Sequence, residues 1–268
     1  MPSMLTAAQL SEFHDDGFTV LRSAFSAEIA ARCRAMLWAH IGLAPDRPQE
    51  WTQSVIHVQQ SFADGPFREV LNARITGAYD DLLGVGRWQP IQHFGWWPIT
   101  FPGHQQPPWH PHEGGWHVDG QQFHHHLDSP DQGLLPLFLF SDIRPGGGGT
   151  AISLGSHLQT ARILRDAEPA GLDVNELARR VSAQPRPRVL EATGSAGDIY
   201  LLHPFMLHTR SANTGSDVRF ICNPCLPLVE RMDLDPASTR DHSPLERSIM
   251  EAISRVPTPS IGGISSQP

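Results

Sequence analysis

The sequence predicts a mainly β domain with flanking helices, of the sandwich or jelly-roll kind. Three observations predict it. From Trp88 onward the apolar residues fall into short runs separated by Gly and Pro, as expected of many short strands joined by turns. The first 86 residues instead carry apolar spacings near the helical period, set between capping residues. A length of 268 residues suits one large β domain with helical additions and a full core.

Taken in order, Thr6 is the N-cap of a helix over 7–16 that Gly17 stops, and 18–21 is a short strand. Ser26 caps a second helix in which Ile29, Cys33, Met36, Leu37 and His40 recur on one face and Gly42 ends the run. Residues 43–66 are polar and broken by proline. A helical period returns over 67–83 through Val70, Leu71, Ile75, Ala78, Tyr79 and Leu82, closed by Gly84 and Gly86. Strands are then expected at 91–97, 115–119, 134–142, 150–154, 189–192, 198–202 and 218–222. A helical excursion is expected over 158–182. One domain therefore spans 1–256, with a helical part over about 1–86 and a β core over about 88–228, and residues 257–268 form a disordered tail. No internal repeat interrupts this order.

Composition narrows the function. Hydrophobic residues make up 40%, and no run approaches the ~18 apolar residues that span a bilayer, so no membrane role is expected. The first residues lack the basic end and apolar run of a signal peptide, which makes the cytoplasm the default location. Three cysteines are too few for a disulfide framework. Cys222 and Cys225 have C-x-x-C spacing without further ligands or a helix N-terminus, so both are expected to be unlinked structural thiols, like Cys33. A net charge of −8 with no basic run argues against a nucleic-acid surface.

Histidine and tryptophan are concentrated in one region. Seven of the 15 histidines fall between His104 and His126, and five of the 7 tryptophans between Trp88 and Trp116. Within it lies Gly115-Trp116-His117-Val118-Asp119-Gly120. On a β-strand the two-residue period points His117 and Asp119 to one face. With a distant histidine they make a two-histidine, one-carboxylate set, the ligand set of non-heme Fe(II) oxygenases. Downstream, Gly197-Asp198 turns into an apolar strand followed by His203 and His208, and these two compete for the third position. Arg219 follows His208 by eleven residues on the next strand, where a guanidinium can grip a carboxylate. A zinc hydrolase would use the same ligands, but no general base is placed as in H-E-x-x-H. The glycines at 146–149 are a tight loop and not a phosphate cradle, since no Gly-Lys-Ser/Thr ending follows.

These pieces, in this order, resemble the phytanoyl-CoA dioxygenase-like family of Fe(II)/2-oxoglutarate oxygenases. The likeness runs over most of the chain: the helix-strand-helix opening, Trp116-His117-Val118-Asp119-Gly120, Gly147-Gly148-Gly149-Thr150, Gly155-Ser156-His157, Gly197-Asp198, Leu207-His208-Thr209, Asn213 and Arg219. The resemblance implies a double-stranded β-helix, a cupin-like jelly roll with N-terminal helices packed outside. It implies that His117, Asp119 and His208 bind Fe(II) and act in catalysis, that Arg219 holds the distal carboxylate of 2-oxoglutarate, and that Thr150 is a further cosubstrate contact or a strand residue. It leaves His203 and His157 in structural roles. The implied activity is a dioxygenase that hydroxylates an unactivated C–H bond while 2-oxoglutarate and O2 become succinate and CO2. Asp119 argues against halogenation, since related halogenases carry a small residue there.

The substrate is expected to be a free small molecule, such as a secondary metabolite or its precursor, because no Arg/Lys cluster suits the phosphates of coenzyme A. Pocket contacts are expected from His57, Gln59, Trp97, His110, His112, Phe123, His124 and Arg210, with Trp96 and Trp109 as further candidates. Adjacent Trp96 and Trp97 on a strand face opposite ways, so one of them at most faces the metal. Monomer and homodimer are both open. Two other readings stand beside the first: a cupin-like metal dioxygenase that does not use 2-oxoglutarate, and a non-catalytic binding barrel.

Overall fold

The computed structural model describes residues 3–131, 133–186 and 188–254, so the expected tail from 257 onward lies outside the described residues. Helix α1 (Ala7–Asp16) opens on a reciprocal cap: Gln9 N donates to Thr6 Oγ1 at 3.2 Å and Thr6 N donates to Gln9 Oε1 at 3.0 Å. It ends at Gly17, whose φ of 85° suits glycine and where a Cβ would fall 2.4 Å from His157 Nδ1. Strand β1 (Phe18–Leu21) leads to α2 (Ala27–Ile41), capped by Ser26 and closed by Gly42 as expected. Its buried face is Ala30, Cys33 and Leu37, while Met36 and His40 are exposed.

Residues 43–66 contain an element the sequence did not announce, β2 (Val55–Val58). The single helix expected over 67–83 is two pieces: a 3-10 turn at Gly65–Glu69 and then α3 (Ala73–Leu83). Asn72 causes the break, because its side chain accepts from the main-chain N–H groups of Arg74 and Ile75 and starts a new helix. The strand expected at 91–97 lies later, as β3 (Trp97–Thr100), paired antiparallel with β2.

The expected runs then appear as β4 (Leu135–Leu139), β5 (Ala151–Ser153), two helices α4 (Ser156–Arg165) and α5 (Val174–Ser182), β6 (Val189–Glu191) and β7 (Ile199–Leu202). After them come the two-residue strands β8 (His208–Thr209) and β9 (Ile221–Cys222), and helix α6 (Pro244–Ser254). Helix α6 was not anticipated from the sequence, although it starts on a reciprocal cap: Ser243 N donates to Glu246 Oε2 at 2.7 Å and Glu246 N donates to Ser243 Oγ at 3.2 Å.

Among the described residues three antiparallel sheets result, ordered β1-β7-β4-β9, β6-β5-β8 and β2-β3. Strands β4 and β7 are buried throughout, so they read as continuous apolar runs. Leu135, Leu137, Leu139, Tyr200 and Leu202 share a small core with Ile152 and Leu190 of the three-stranded sheet and with Ala192 just after it. Phe138, Phe140, Ile199 and Leu201 join the larger core that the helices cover. The four-stranded sheet is thus sandwiched between helices and the second sheet. The ladders do not close into the barrel implied by the resemblance. Strands of two to five residues, cut short by Gly and Pro, are linked by isolated bridges such as Thr100↔Arg219 and His117↔His208. Among the described residues no helix is long and apolar enough to cross a membrane.

Candidate metal centre

The segment 115–119 is not a strand. A 3-10 turn at Glu113–Gly115 precedes Trp116, and His117 makes one isolated bridge with His208. His117 N donates to His208 O and His208 N donates to His117 O, both at 3.0 Å. The two imidazoles are thereby set side by side with ring centroids 4.4 Å apart, a result of the bridge and not of a strand period through Val118. Val118 is buried and Asp119 turns back toward both rings.

Nε2 of His117 and Nε2 of His208 lie 3.1 and 3.4 Å from Asp119 Oδ1. One donor atom from each of the three residues falls within 4.8 Å of the others. Ligand bonds of about 2.1 Å meeting near right angles put neighbouring donor atoms about 3 Å apart, so this spacing fits one octahedral face. The outer atoms of the ligands are occupied. His117 Nδ1 is 2.7 Å from Gly115 O and His208 Nδ1 is 3.0 Å from Met206 O. A carbonyl can only accept, so both Nδ1 atoms carry hydrogen and both Nε2 atoms are directed to the centre.

Asn223 Nδ2 donates to Asp119 Oδ2 at 2.8 Å, which leaves Oδ1 to face the histidines. Asn223 was not anticipated. It sits inside Cys222-Asn-Pro-Cys225, where attention falls on the thiols. Those are free, with burial pushing Cys225 up to about 11 and Cys222 above the usual thiol range. Burial opposes ionisation of Asp119, but the charges and hydrogen bonds of His208 and His117 outweigh it and hold the carboxyl far below its ordinary range. Burial likewise disfavours protonated His117, and Asp119 overcomes this and raises its proton affinity.

Arg219 is the second feature. It is 2% exposed, its NH1 donates to Gly148 O at 2.6 Å and its NH2 to Pro98 O at 3.0 Å, and its Nε has no partner among the described residues. No carboxylate contacts it there. Burial, then the nearby Arg210 charge, push it down to about 9. The glycine loop is a cradle for this arginine: Gly148 has φ of 76°, and a Cβ on it would fall 2.9 Å from Asn213 Cβ. Thr150 is buried beside the loop, with its carbonyl accepting from Ala192 N at 2.9 Å.

The other expected residues scatter. Trp97 is wholly buried among Phe62, Phe67 and Phe140 with Nε1 on Phe94 O, so it is core and not pocket wall. Trp96 is the exposed member of the pair and holds a positive φ of 56°. Trp109 is half-buried, its Nε1 on Ser211 Oγ at 2.8 Å. His110 and His112 are exposed, and their main chain pairs with Ala212 and Arg210 beside β8. Phe123 lies tilted against His125, ring centroids 4.7 Å apart, and both close on Gly120 next to Asp119. His124 is tied to Ala170 O at 2.9 Å. His57 and Gln59 are exposed, with His57 opposite Pro98, the residue whose carbonyl accepts from Arg219. His203 is fully buried between Ser248 Oγ at 3.1 Å and Phe205 N at 3.1 Å, away from the triad. His157 Nε2 meets His14 O at 3.0 Å, a structural contact.

No protein-family model and no curated protein matches the chain. Solved structures do. The non-heme alpha-ketoglutarate-dependent carbocyclase SnoK from nogalamycin biosynthesis aligns over 86% of this chain and 88% of its own at 16% identity and a TM-score of 0.53. AviO1 from Streptomyces viridochromogenes Tue57 aligns over 90% and 99% at 15% identity and a TM-score of 0.51. The chain has their fold. HygX from Streptomyces hygroscopicus, solved with nickel, 2-oxoglutarate and hygromycin B, aligns over 84% and 88% at 17% identity and a TM-score of 0.50. At such identities the likeness speaks for the fold, and the site rests on its own geometry.

Proposed function

We propose that this protein is an Fe(II)/2-oxoglutarate-dependent dioxygenase of the phytanoyl-CoA dioxygenase-like family that hydroxylates an unactivated C–H bond of a small molecule, such as a secondary metabolite or its precursor. One observation carries the reading. A two-histidine, one-carboxylate face with its outer atoms already satisfied is accompanied by a buried guanidinium, Arg219, that has no carboxylate hydrogen-bonded to it among the described residues, and the Arg210 charge reaches both His117 and Arg219. The donor set suits Fe(II), and Arg219 suits a dicarboxylate. A metal dioxygenase without 2-oxoglutarate would leave Arg219 as a buried charge with no carboxylate hydrogen-bonded to it among the described residues, balanced only in part by the Glu191 charge.

When bound, iron and 2-oxoglutarate together supply the oxidising power, with dioxygen consumed and succinate and CO2 released. The chain's residues do the rest. His117, His208 and Asp119 would hold the metal on one face and leave the opposite face for cosubstrate and dioxygen. Asn223 keeps Asp119 single-toothed. Arg219 would fix the distal carboxylate, and Thr150 would add a second contact. Asp119 occupies the place a halide would need, which favours hydroxylation over halogenation. A double-stranded β-helix, left open between its two packed sheets, is the architecture that goes with this function.

Succinate release from 2-oxoglutarate in air tests the reading. The expected result is slow turnover that needs added Fe(II) and is lost in His208→Ala. Metal bound at the triad with no succinate above the protein-free rate would overturn it.

A further inference from the structure

The chain contains no lysine, so each fixed side-chain positive charge is one of its 20 arginines. Nearly all of the described arginines are engaged by a carboxylate or a carbonyl, including Arg22 with Asp198, Arg87 with Glu246, Arg188 with Asp16 and Arg231 with Asp128. Among the described residues only Arg144 and Arg210 have a guanidinium with no hydrogen bond or ion pair. Arg144 is exposed and acts on no group of the metal centre. Arg210 differs, because its charge bears on His117, His57 and Arg219.

Backbone geometry explains that reach. Arg210 follows His208 by two residues in a stretch held extended by β8 and by the bridges His117↔His208 and Pro111↔Ser211. The two-residue period gives Arg210 the face of His208. Thr209 and Ser211 take the other face, their hydroxyls donating to His112 O at 3.2 Å and Gly149 O at 2.5 Å. Arg210 is exposed where Arg219 is buried, so the two cations stand at different depths of one site, one toward solvent and one toward the core.

Building on the cosubstrate reading above, we propose that Arg210 binds an anionic group of the substrate, a carboxylate or a phosphate ester, at the solvent side of the metal centre. Charge balance leads there. The positive charges of Fe(II) and Arg219 are matched by Asp119 and the two carboxylates of 2-oxoglutarate, and Glu191, whose charge also reaches Arg219, is already held by Gly146 N and Gly149 N, so the Arg210 guanidinium has no partner of its own among the described residues. A cation facing solvent beside a metal ligand meets whatever arrives from solvent, which is the substrate. His57, exposed and opposite Pro98, stands on the same rim, where burial and then the charges of Arg210 and Arg219 lower its proton affinity. A neutral imidazole there can donate one hydrogen bond to the same anion.

The test uses the full chain loaded with Zn(II) and 2-oxoglutarate, and titrates phenylacetate against phenylacetamide and phenyl phosphate against phenol by calorimetry. At least one acid is expected to bind about tenfold tighter than its neutral partner, as a charge-assisted hydrogen bond provides. Arg210→Gln should erase that gap and Arg210→Lys should keep part of it, with thermal unfolding showing both variants folded. Whichever acid shows the gap separates carboxylate from phosphate. Equal or undetectable binding of acid and neutral partner, or a gap that survives Arg210→Gln, overturns the proposal. So does a loss of 2-oxoglutarate affinity in Arg210→Gln as large as that in Arg219→Gln, which would give Arg210 to the cosubstrate. Failure of the metal-loaded parent to bind 2-oxoglutarate at all overturns instead the dioxygenase reading on which the charge balance stands.

Discussion

Replacing Arg219 with Gln separates cosubstrate binding from metal binding. Burial, with the nearby Arg210 charge adding to it and the Glu191 charge opposing it, pushes Arg219 from its ordinary range down to about 9, on the order of 5 kcal/mol against the charged form. A carboxylate docked on the guanidinium recovers part of this. A buried charge-assisted pair is worth about 3 kcal/mol, or about 100-fold in affinity. Removing the charge relieves the burial cost, while losing donors to Gly148 O and Pro98 O costs about 1–3 kcal/mol each, and Gln can satisfy one of them. The relieved burial cost is the larger of the two effects by about 2–4 kcal/mol, so the variant should unfold at the parent's temperature or up to about 10 °C above it. Arg219 contacts no triad atom among the described residues, so metal affinity should change less than about twofold. Calorimetric titration of 2-oxoglutarate into the Zn(II)-loaded variant, beside a Zn(II) titration of the metal-free form, reads both quantities. Equal loss of metal and cosubstrate, or an unchanged affinity for 2-oxoglutarate, would refute the assignment.

Further expectations follow from the same contacts. His208→Ala should abolish metal binding, whereas His203→Ala should keep it and lose about 2–4 kcal/mol of stability through its buried bonds to Ser248 and Phe205; metal content after dialysis and urea unfolding distinguish the two. Asn223→Ala frees Oδ2 of Asp119 and should weaken metal binding by about tenfold without unfolding the chain, and an unchanged metal titration would count against its positioning role. Acid should destabilise the protein through His157. Its folded value is pushed down to about 4, so the unfolded chain takes up a proton first as pH falls below about 6.5, and stability drops by about 2 kcal/mol between pH 7 and 5. His157→Gln, which can still donate to His14 O, should flatten the slope of unfolding free energy with pH, and an equally steep slope would show that His157 does not titrate on unfolding.

Much of this molecule is legible in its residues, and where it is not the cause is specific. Caps written in side chains adjacent to their targets, Thr6 with Gln9 and Ser26 with Ile29, place α1 and α2 correctly. The same chemistry at Asn72 and Ser243 starts α3 and α6, but an apolar period that runs on from Phe67 masks the first start, and the second follows a polar stretch with no apolar run to frame it. The short strands β2 and β8 have no local signal, because their pairing partners supply it. At the centre, residue type and order marked His117, Asp119, His208 and Arg219. The convergence of the first three depends on one long-range bridge and not on strand alternation. Trp97 reads as a pocket aromatic until its neighbours are known, and Asn223 cannot be found from sequence because its partner lies 104 residues away.

The most direct measurement is anaerobic addition of 2-oxoglutarate to the Fe(II)-loaded protein while watching for the weak visible charge-transfer band of the chelate. The account expects a band that saturates at one 2-oxoglutarate per iron and is absent in His208→Ala. Iron held at the triad with no band at any 2-oxoglutarate concentration would contradict it.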